Sequence, residues 1–194
     1  MTMHALLQRL PRDRKCVAAL EFALIAPTMV MVFAGVADIG NALYTWSRLE
    51  AALAVGANYA QVNYSQVSTN GATFAYNIAS LVSTSNSGAP ATVTVLVNNG
   101  LSETATPVQQ SGGTYTVTYA AGGSANTSCY CPTGSPANWT WGSPVLCGNT
   151  CTGSSNTAGQ FVTITASYNY TPFFTSYGFV TNGAMTGAAA VQTQ

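Results

Sequence analysis

Residues 22–37 read FALIAPTMVMVFAGVA, sixteen positions without a charge. Extending back to residue 17 gives twenty-one positions with Glu21 as the sole charge. At ~1.5 Å per residue the run is roughly 31 Å long, about one hydrocarbon core. After Asp38 the pattern changes from apolar on every side to a stripe. Ala42, Trp46, Leu49, Leu53, Gly56 and Ala60 are spaced 4-3-4-3-4, a heptad-like seam with several small members. No proline interrupts the chain between Pro27 and Pro90. The pattern therefore predicts one helix from residue 17 to about Gln66, roughly 75 Å long, kinked at Pro27. The seam packs either on the chain's own outer domain or on a neighbouring subunit.

Beyond the helix the period shortens. Residues 73–83 suggest a short helix with Phe74, Ile78 and Leu81 on one face, ended by the turn cluster SNSG at 85–88. Four stretches then alternate as strands do. Residues 91–97 put Val93, Val95 and Val97 on one face, and residues 114–120 do the same for Tyr115, Val117 and Tyr119. Residues 161–170 align Val162, Ile164, Ala166, Tyr168 and Tyr170, and residues 184–192 form a weaker strand. Asn99-Gly100 and Gly112-Gly113 mark turns. Such alternation predicts antiparallel strands with one face buried and a Thr-rich face toward solvent or a partner. The fold class is α+β: a long N-terminal transmembrane helix extending outward, then a small antiparallel β domain.

Charge narrows the function. Only 5 % of the 194 residues are charged, against about 25 % in a typical soluble domain. Arg9, Arg12, Arg14 and Lys15 are four of the five basic residues, and none follows Arg48. Nucleic-acid binding, which needs cations against phosphate, is therefore not expected. The only histidine is His4, and after Glu50 the only charge is Glu103. Clustered acid–base or metal chemistry has no residues to work with there. No catalysis, cofactor or metal is expected. Asp38, which ends the apolar run, and Arg48 read as solvated interface residues.

Cysteines supply what the β domain lacks in core. Cys129, Cys131, Cys147 and Cys151 form C-x-C and C-x3-C within twenty-three residues, and 24 of the 40 residues at 121–160 are Ser, Thr, Asn, Gln or Gly. A loop of that composition cannot hold itself by burying apolar area. Zinc is the competing reading, but its common sites use C-x2-C or wider pairs. Disulfides on an oxidising outer face fit better. Pairing Cys129 with Cys131 would be strained. That leaves 129–151 with 131–147, or 129–147 with 131–151. Trp139 and Trp141 in this loop either pack over the disulfides or form an exposed contact.

Three readings compete for the N-terminus. A secretory signal would be cut after Val32-Phe33-Ala34. A plain anchor would keep Glu21 near the interface, paired with Arg14 or Lys15. The third is a prepilin-type signal, and here the residues carry a resemblance. The stretch CVAALEFALIAPTMVMVFAGVADIGNALYTWSRLEAALAVGANYAQ resembles the N-terminus of TadE-like proteins of tight-adherence (Flp-type) pilus systems. CYCPTG at 129–134, CGNTC at 147–151 and FVTITASYNYTPF at 161–173 are similar to distal elements of that family. The resemblance implies removal of a basic leader between Cys16 and Val17, with Glu21 and Phe22 as mature residues five and six. Cys16 stands where the family usually has Gly.

The resemblance also implies the role. Residues 1–16 are a leader, 17–66 the transmembrane and extended helix, 67–90 a short helix and linker, and 91–194 an extracytoplasmic β-rich domain with a cystine loop at 129–151. The chain would be a pseudopilin-like minor component supporting pilus assembly and adherence. Its partners would be a prepilin peptidase, other pilins or pseudopilins, inner-membrane assembly proteins and the lipid bilayer. The basic leader would stay in the cytoplasm and the C-terminal domain would be periplasmic. The alternative is a membrane-anchored or secreted outer-face binding or adhesin domain unrelated to pili.

Overall fold

The computed structural model of the protein describes residues 14–85, 91–111, 113–172 and 183–194, with the backbone alone at 14–17. Most of the basic leader, the SNSG turn beyond Ser85, Gly112 and the last residue of the YTPF motif lie outside the described residues. Helix α1 spans Arg14–Val62 and runs through Pro27 without interruption. It ends at Val62, a little short of the expected Gln66. A turn follows, then a one-turn helix α2 (Gln66–Thr69) and helix α3 (Gly71–Thr84). Five strands complete the chain: β1 (Thr92–Val97), β2 (Leu101–Gln109), β3 (Tyr115–Gly122), β4 (Phe161–Asn169) and β5 (Ala184–Gln192). The chain divides into two compact units, one holding α1 up to Leu43 and one beginning at Tyr44.

The strands form one sheet in the order β3-β2-β1-β4-β5, every neighbouring pair antiparallel. Register explains the core. Val95 pairs with both Glu103 and Ile164, Val93 with Ala105 and Ala166, and Val97 with Leu101 and Val162. Directly opposed residues share a face, so these side chains, with Met185 and Val191 of β5, make a continuous apolar surface. Val93, Val95, Val162, Ile164 and Met185 are fully buried.

Strand β2 is the element that alternation does not reveal. Its sequence LSETATPVQ mixes Glu103, Ala105 and Pro107 on the core-facing positions, so no hydrophobic period stands out. Pro107 is tolerated because β1 pairs with β2 only as far as Ala105. At Pro107 the strand is bonded on the β3 side alone, opposite Val117.

One face of the sheet carries the helices. On α3 the buried residues are Phe74, Ala75, Ile78, Ala79, Val82 and Ser83. Phe74 and Ile78 are as expected, whereas Val82 takes the core position and Leu81 stays half-buried. The stripe on α1 is mostly core: Leu49, Ala52, Leu53, Gly56 and Ala60 are buried. Trp46 breaks it and remains partly exposed. Of the two fates open to the seam, packing on the chain's own domain is the one observed over 49–60. Glycines make the approach possible. A Cβ on Gly56 would come within 2.5 Å of Val82 Cγ2 and 3.2 Å of Ile164 Cδ1, and one on Gly187 within 2.6 Å of Leu53 Cδ1. Tyr59 adds a stacked contact with Phe74 and receives a 3.0 Å hydrogen bond from Asn77 Nδ2.

Two charges depart from expectation. Asp38, expected to be solvated, is 3 % exposed and has a partner, as a buried carboxylate requires. Glu103, only 4 % exposed, sits on the core face beside Val95, and loss of solvent raises its pKa above the usual value. Arg48 is half-buried, its guanidinium 5.6 Å from the Tyr44 ring centroid.

Two expectations follow. Gly56→Ala should destabilise the fold by about 1–3 kcal/mol through overpacking, against the ~1 kcal/mol that alanine gains in a helix. In a Val82→Ala background, which vacates the clashing methyl, the same change should become neutral or stabilising; a double-mutant cycle by chemical denaturation reads the difference. For Glu103, a folded pKa above the unfolded one means its contribution is intact at low pH. That contribution is lost as pH rises from about 4.5 through the folded value. The stability gap between wild type and Glu103→Gln should therefore change over that window and be flat above it. A pH series of unfolding midpoints tests this.

Candidate functional site

Two regions hold the residues that sequence reasoning singled out. The first is the start of α1. Cys16 and Val17 lie in its opening turns, since the helix begins at Arg14. Val17 and Glu21 are separated by four residues in continuous helix, so they share one face. Glu21 and Phe22 are exposed, Phe22 at 72 %. Leu20, Phe22, Leu24 and Ile25 are all exposed, and at about 100° per residue they ring the helix. Apolar side chains on every side suit lipid or neighbouring helices, not the chain's own core. The helix is long and apolar enough to span a membrane.

The second region is the loop between β3 and β4. All four cysteines are paired with one another: Cys129–Cys147 and Cys131–Cys151. This decides between the two open pairings and leaves no thiolate for zinc. The two rings overlap, with separations of 18 and 20 residues, and each closure contributes about 3 kcal/mol in the chain-entropy account. Between the cystines the backbone makes short bridges. Tyr130 and Gly159 exchange both hydrogen bonds (2.9 and 3.1 Å), Val145 N–H donates to the Cys129 carbonyl, and Thr133 and Thr140 pair reciprocally.

Buried amides sew this loop to the sheet. Asn98, fully buried, donates from Nδ2 to the Asn126 and Ser128 carbonyls, both at 2.7 Å. Its position is fixed by the β1–β2 turn. Asn98 and Asn99 have φ of +48° and +54°, and the turn closes through Gly100 N–H to the Val97 carbonyl at 3.0 Å. Asparagine is one of the few residues that enters this left-handed region readily. Gly100 itself has no positive φ; it is needed because a Cβ there would collide with the Ser124 carbonyl. Gln160 Nε2 donates to the Thr127 carbonyl at 2.9 Å, and Asn126 Nδ2 to the Tyr130 hydroxyl at 2.6 Å. Asn98 carried no sequence signal beyond standing next to an Asn-Gly pair.

Trp139 and Trp141, both half-buried, belong to a row of aromatic rings. Phe161, Trp139, Trp141 and Tyr130 form a chain of edge-to-face contacts at 5.3, 5.5 and 5.6 Å between centroids. Phe161 pairs with Gln192 and so lies on the face opposite Val162 and the core. The loop, including its 3-10 turn (Pro136–Asn138), thus folds back over part of the Thr-rich face, and Thr163 there is buried. That face, expected to be open to solvent or a partner, is in part covered by the chain's own loop.

With this geometry in view, the comparisons with known proteins bear on one end of the chain. Residues 17–58 match the family model described as TadE-like protein. No curated protein and no solved structure matches the chain. The TadE-like segment holds Val17, Glu21, Phe22 and the buried stripe as far as Gly56. The CYCPTG, CGNTC and FVTITASYNYTPF elements lie outside it.

Asn98→Ala should leave the Asn126 and Ser128 carbonyls without this donor and force alanine into a left-handed conformation. The expected loss is about 2–4 kcal/mol. Asn98→Gly, which keeps the backbone freedom, should recover only the conformational part. Thermal unfolding of the oxidised protein checks both.

Proposed function

We propose that the chain is a non-catalytic, pseudopilin-like minor component of a tight-adherence pilus assembly system. It is anchored in the bacterial inner membrane by a single pass of α1, with its N-terminus cytoplasmic and its β domain periplasmic. The observation that carries this reading is the start of the TadE-like match at Val17, the residue expected to follow the cut. A prepilin peptidase hydrolysing the Cys16–Val17 bond removes the leader with Arg14 and Lys15, and frees the Val17 ammonium. Glu21 lies one turn further along the same face. Its carboxylate favours the positive end of the shortened helix. An unpaired charge this near the membrane edge costs less than the ~2.5–3.5 kcal/mol of the bilayer centre, but it still costs. The new amine of the same or a neighbouring subunit offsets that cost and fixes the axial register between helices. The exposed apolar ring around residues 20–25 then exchanges lipid for other pilin helices.

The test is the intact mass of the mature protein expressed with its own peptidase. A chain beginning at Val17 is expected. Glu21→Ala should keep that start and lower pilus output at least tenfold. A start at Met1 would instead leave a permanent anchor and favour an anchored binding domain. A start near Gly35 would mean an ordinary secreted protein. Unchanged pilus output in Glu21→Ala would remove the register role.

A further inference from the structure

A cleft of about 560 Å³ opens where the cystine loop meets the ends of β4 and β5. Trp139 and Phe161 form its apolar part. The Cys131–Cys151 cystine contributes both its residues to the wall, and Thr133, Asn156, Thr157 and Gln192 stand around it. The volume falls within the roughly 300–1,000 Å³ of small-ligand sites. We propose that this cleft binds a short stretch of neutral polysaccharide.

Three features point to that chemistry. No lining residue is charged, so a phosphate, sulfate or carboxylate would lose its water without gaining a counter-charge. The lining is mixed: the rings of Trp139 and Phe161, set edge to face, share the wall with hydroxyl and amide groups. A sugar ring offers the complement, an apolar C–H face with hydroxyls around its edge. A lipid chain would leave those polar groups unmet. The side-chain amide of Asn156 and the hydroxyls of Thr133 and Thr157 make no hydrogen bond among the described residues, so their donors and acceptors are free for a ligand.

The site is also built before any ligand arrives. Trp139 is held edge-on between Trp141 and Phe161, at interplanar angles of 86° and 88°, so its ring has little rotational freedom to lose. The cystine fixes the spacing of the two walls. The cleft thus pays little ordering entropy on binding, which is what makes weak polar contacts useful. All of its residues lie outside the 17–58 match, and the inference does not rest on the pilus reading.

The full chain in lipid nanodiscs, free of glycosidic detergent, can be titrated with maltohexaose, cellohexaose, chitohexaose and mannohexaose. Hexagalacturonate serves as the charged counterpart, and a peptide copying residues 161–170 as a strand-like competitor. Saturation-transfer NMR and calorimetry report binding. At least one neutral hexaose should saturate with a Kd of about 0.1–1 mM. Trp139→Ala and Asn156→Ala should each weaken it at least tenfold. Asn156 is exposed, so its variant should keep the wild-type unfolding midpoint and separate lost binding from lost fold. The proposal is overturned if no neutral hexaose saturates by about 10 mM. It is equally overturned if hexagalacturonate or the peptide binds as tightly, or if a folded Asn156→Ala binds like wild type. None of these outcomes alters the mass of the mature N-terminus, so the two readings fail separately.

Discussion

The close approach of α1 to the sheet is the contact on which the outer domain depends. A helix can lie that near only where side chains are absent on one side or the other. Gly56 and Gly187 provide those gaps, and Leu49, Leu53, Ile78, Val82 and Ile164 fill the space around them. The five-stranded sheet has one face that can bury apolar surface, and α1 and α3 together cover it. Small residues on the helix are therefore a packing requirement of this chain, although the same stripe reads equally well as a seam between subunits. Along α1 the chemistry changes once. From Phe22 to Ala37 the side chains carry no charge and are largely exposed; from Leu49 the helix has a buried face and a polar one.

The opposite face of the sheet solves a different problem. Nearly uncharged and rich in Ser, Thr, Asn and Gly, the loop from residue 123 to 160 has no core of its own. Covalent closure by two overlapping cystines limits its unfolded freedom. Buried amides from Asn98 and Gln160 then dock it, and a row of four aromatic rings gives it a small apolar spine. Together they hold a polar segment in one shape, which is also the condition for a preformed cleft.

Much of this is legible in the sequence, for reasons that differ by element. The apolar run at 17–37 and the valines of β1 and β4 announce themselves because burial on all sides, or on every second residue, leaves a simple period. Strand β2 does not, because its core-facing positions hold Glu103, Ala105 and Pro107, chosen by neighbours on β1 and β3 that lie far away in sequence. Leu81 and Val82 exchange places for a similar reason: helical spacing admits either, and contact with Gly56 selects Val82.

By itself the sequence determined the membrane-length helix, the α+β class, the strand alternation and the certainty that four cysteines would matter, since each follows from local period and composition. It also carried the TadE-like segment with Val17, Glu21 and Phe22 in place. Only the tertiary structure decided which cysteines pair, because both open pairings close loops of similar length and only the bridges at Cys129–Val145 and Tyr130–Gly159 bring particular partners together. It alone decided that the small-residue stripe faces inward and that Asn98 anchors the loop. The Thr-rich face lies partly under Trp139 for the same reason. These are long-range contacts, and their energies depend on surfaces that no local stretch of chain contains.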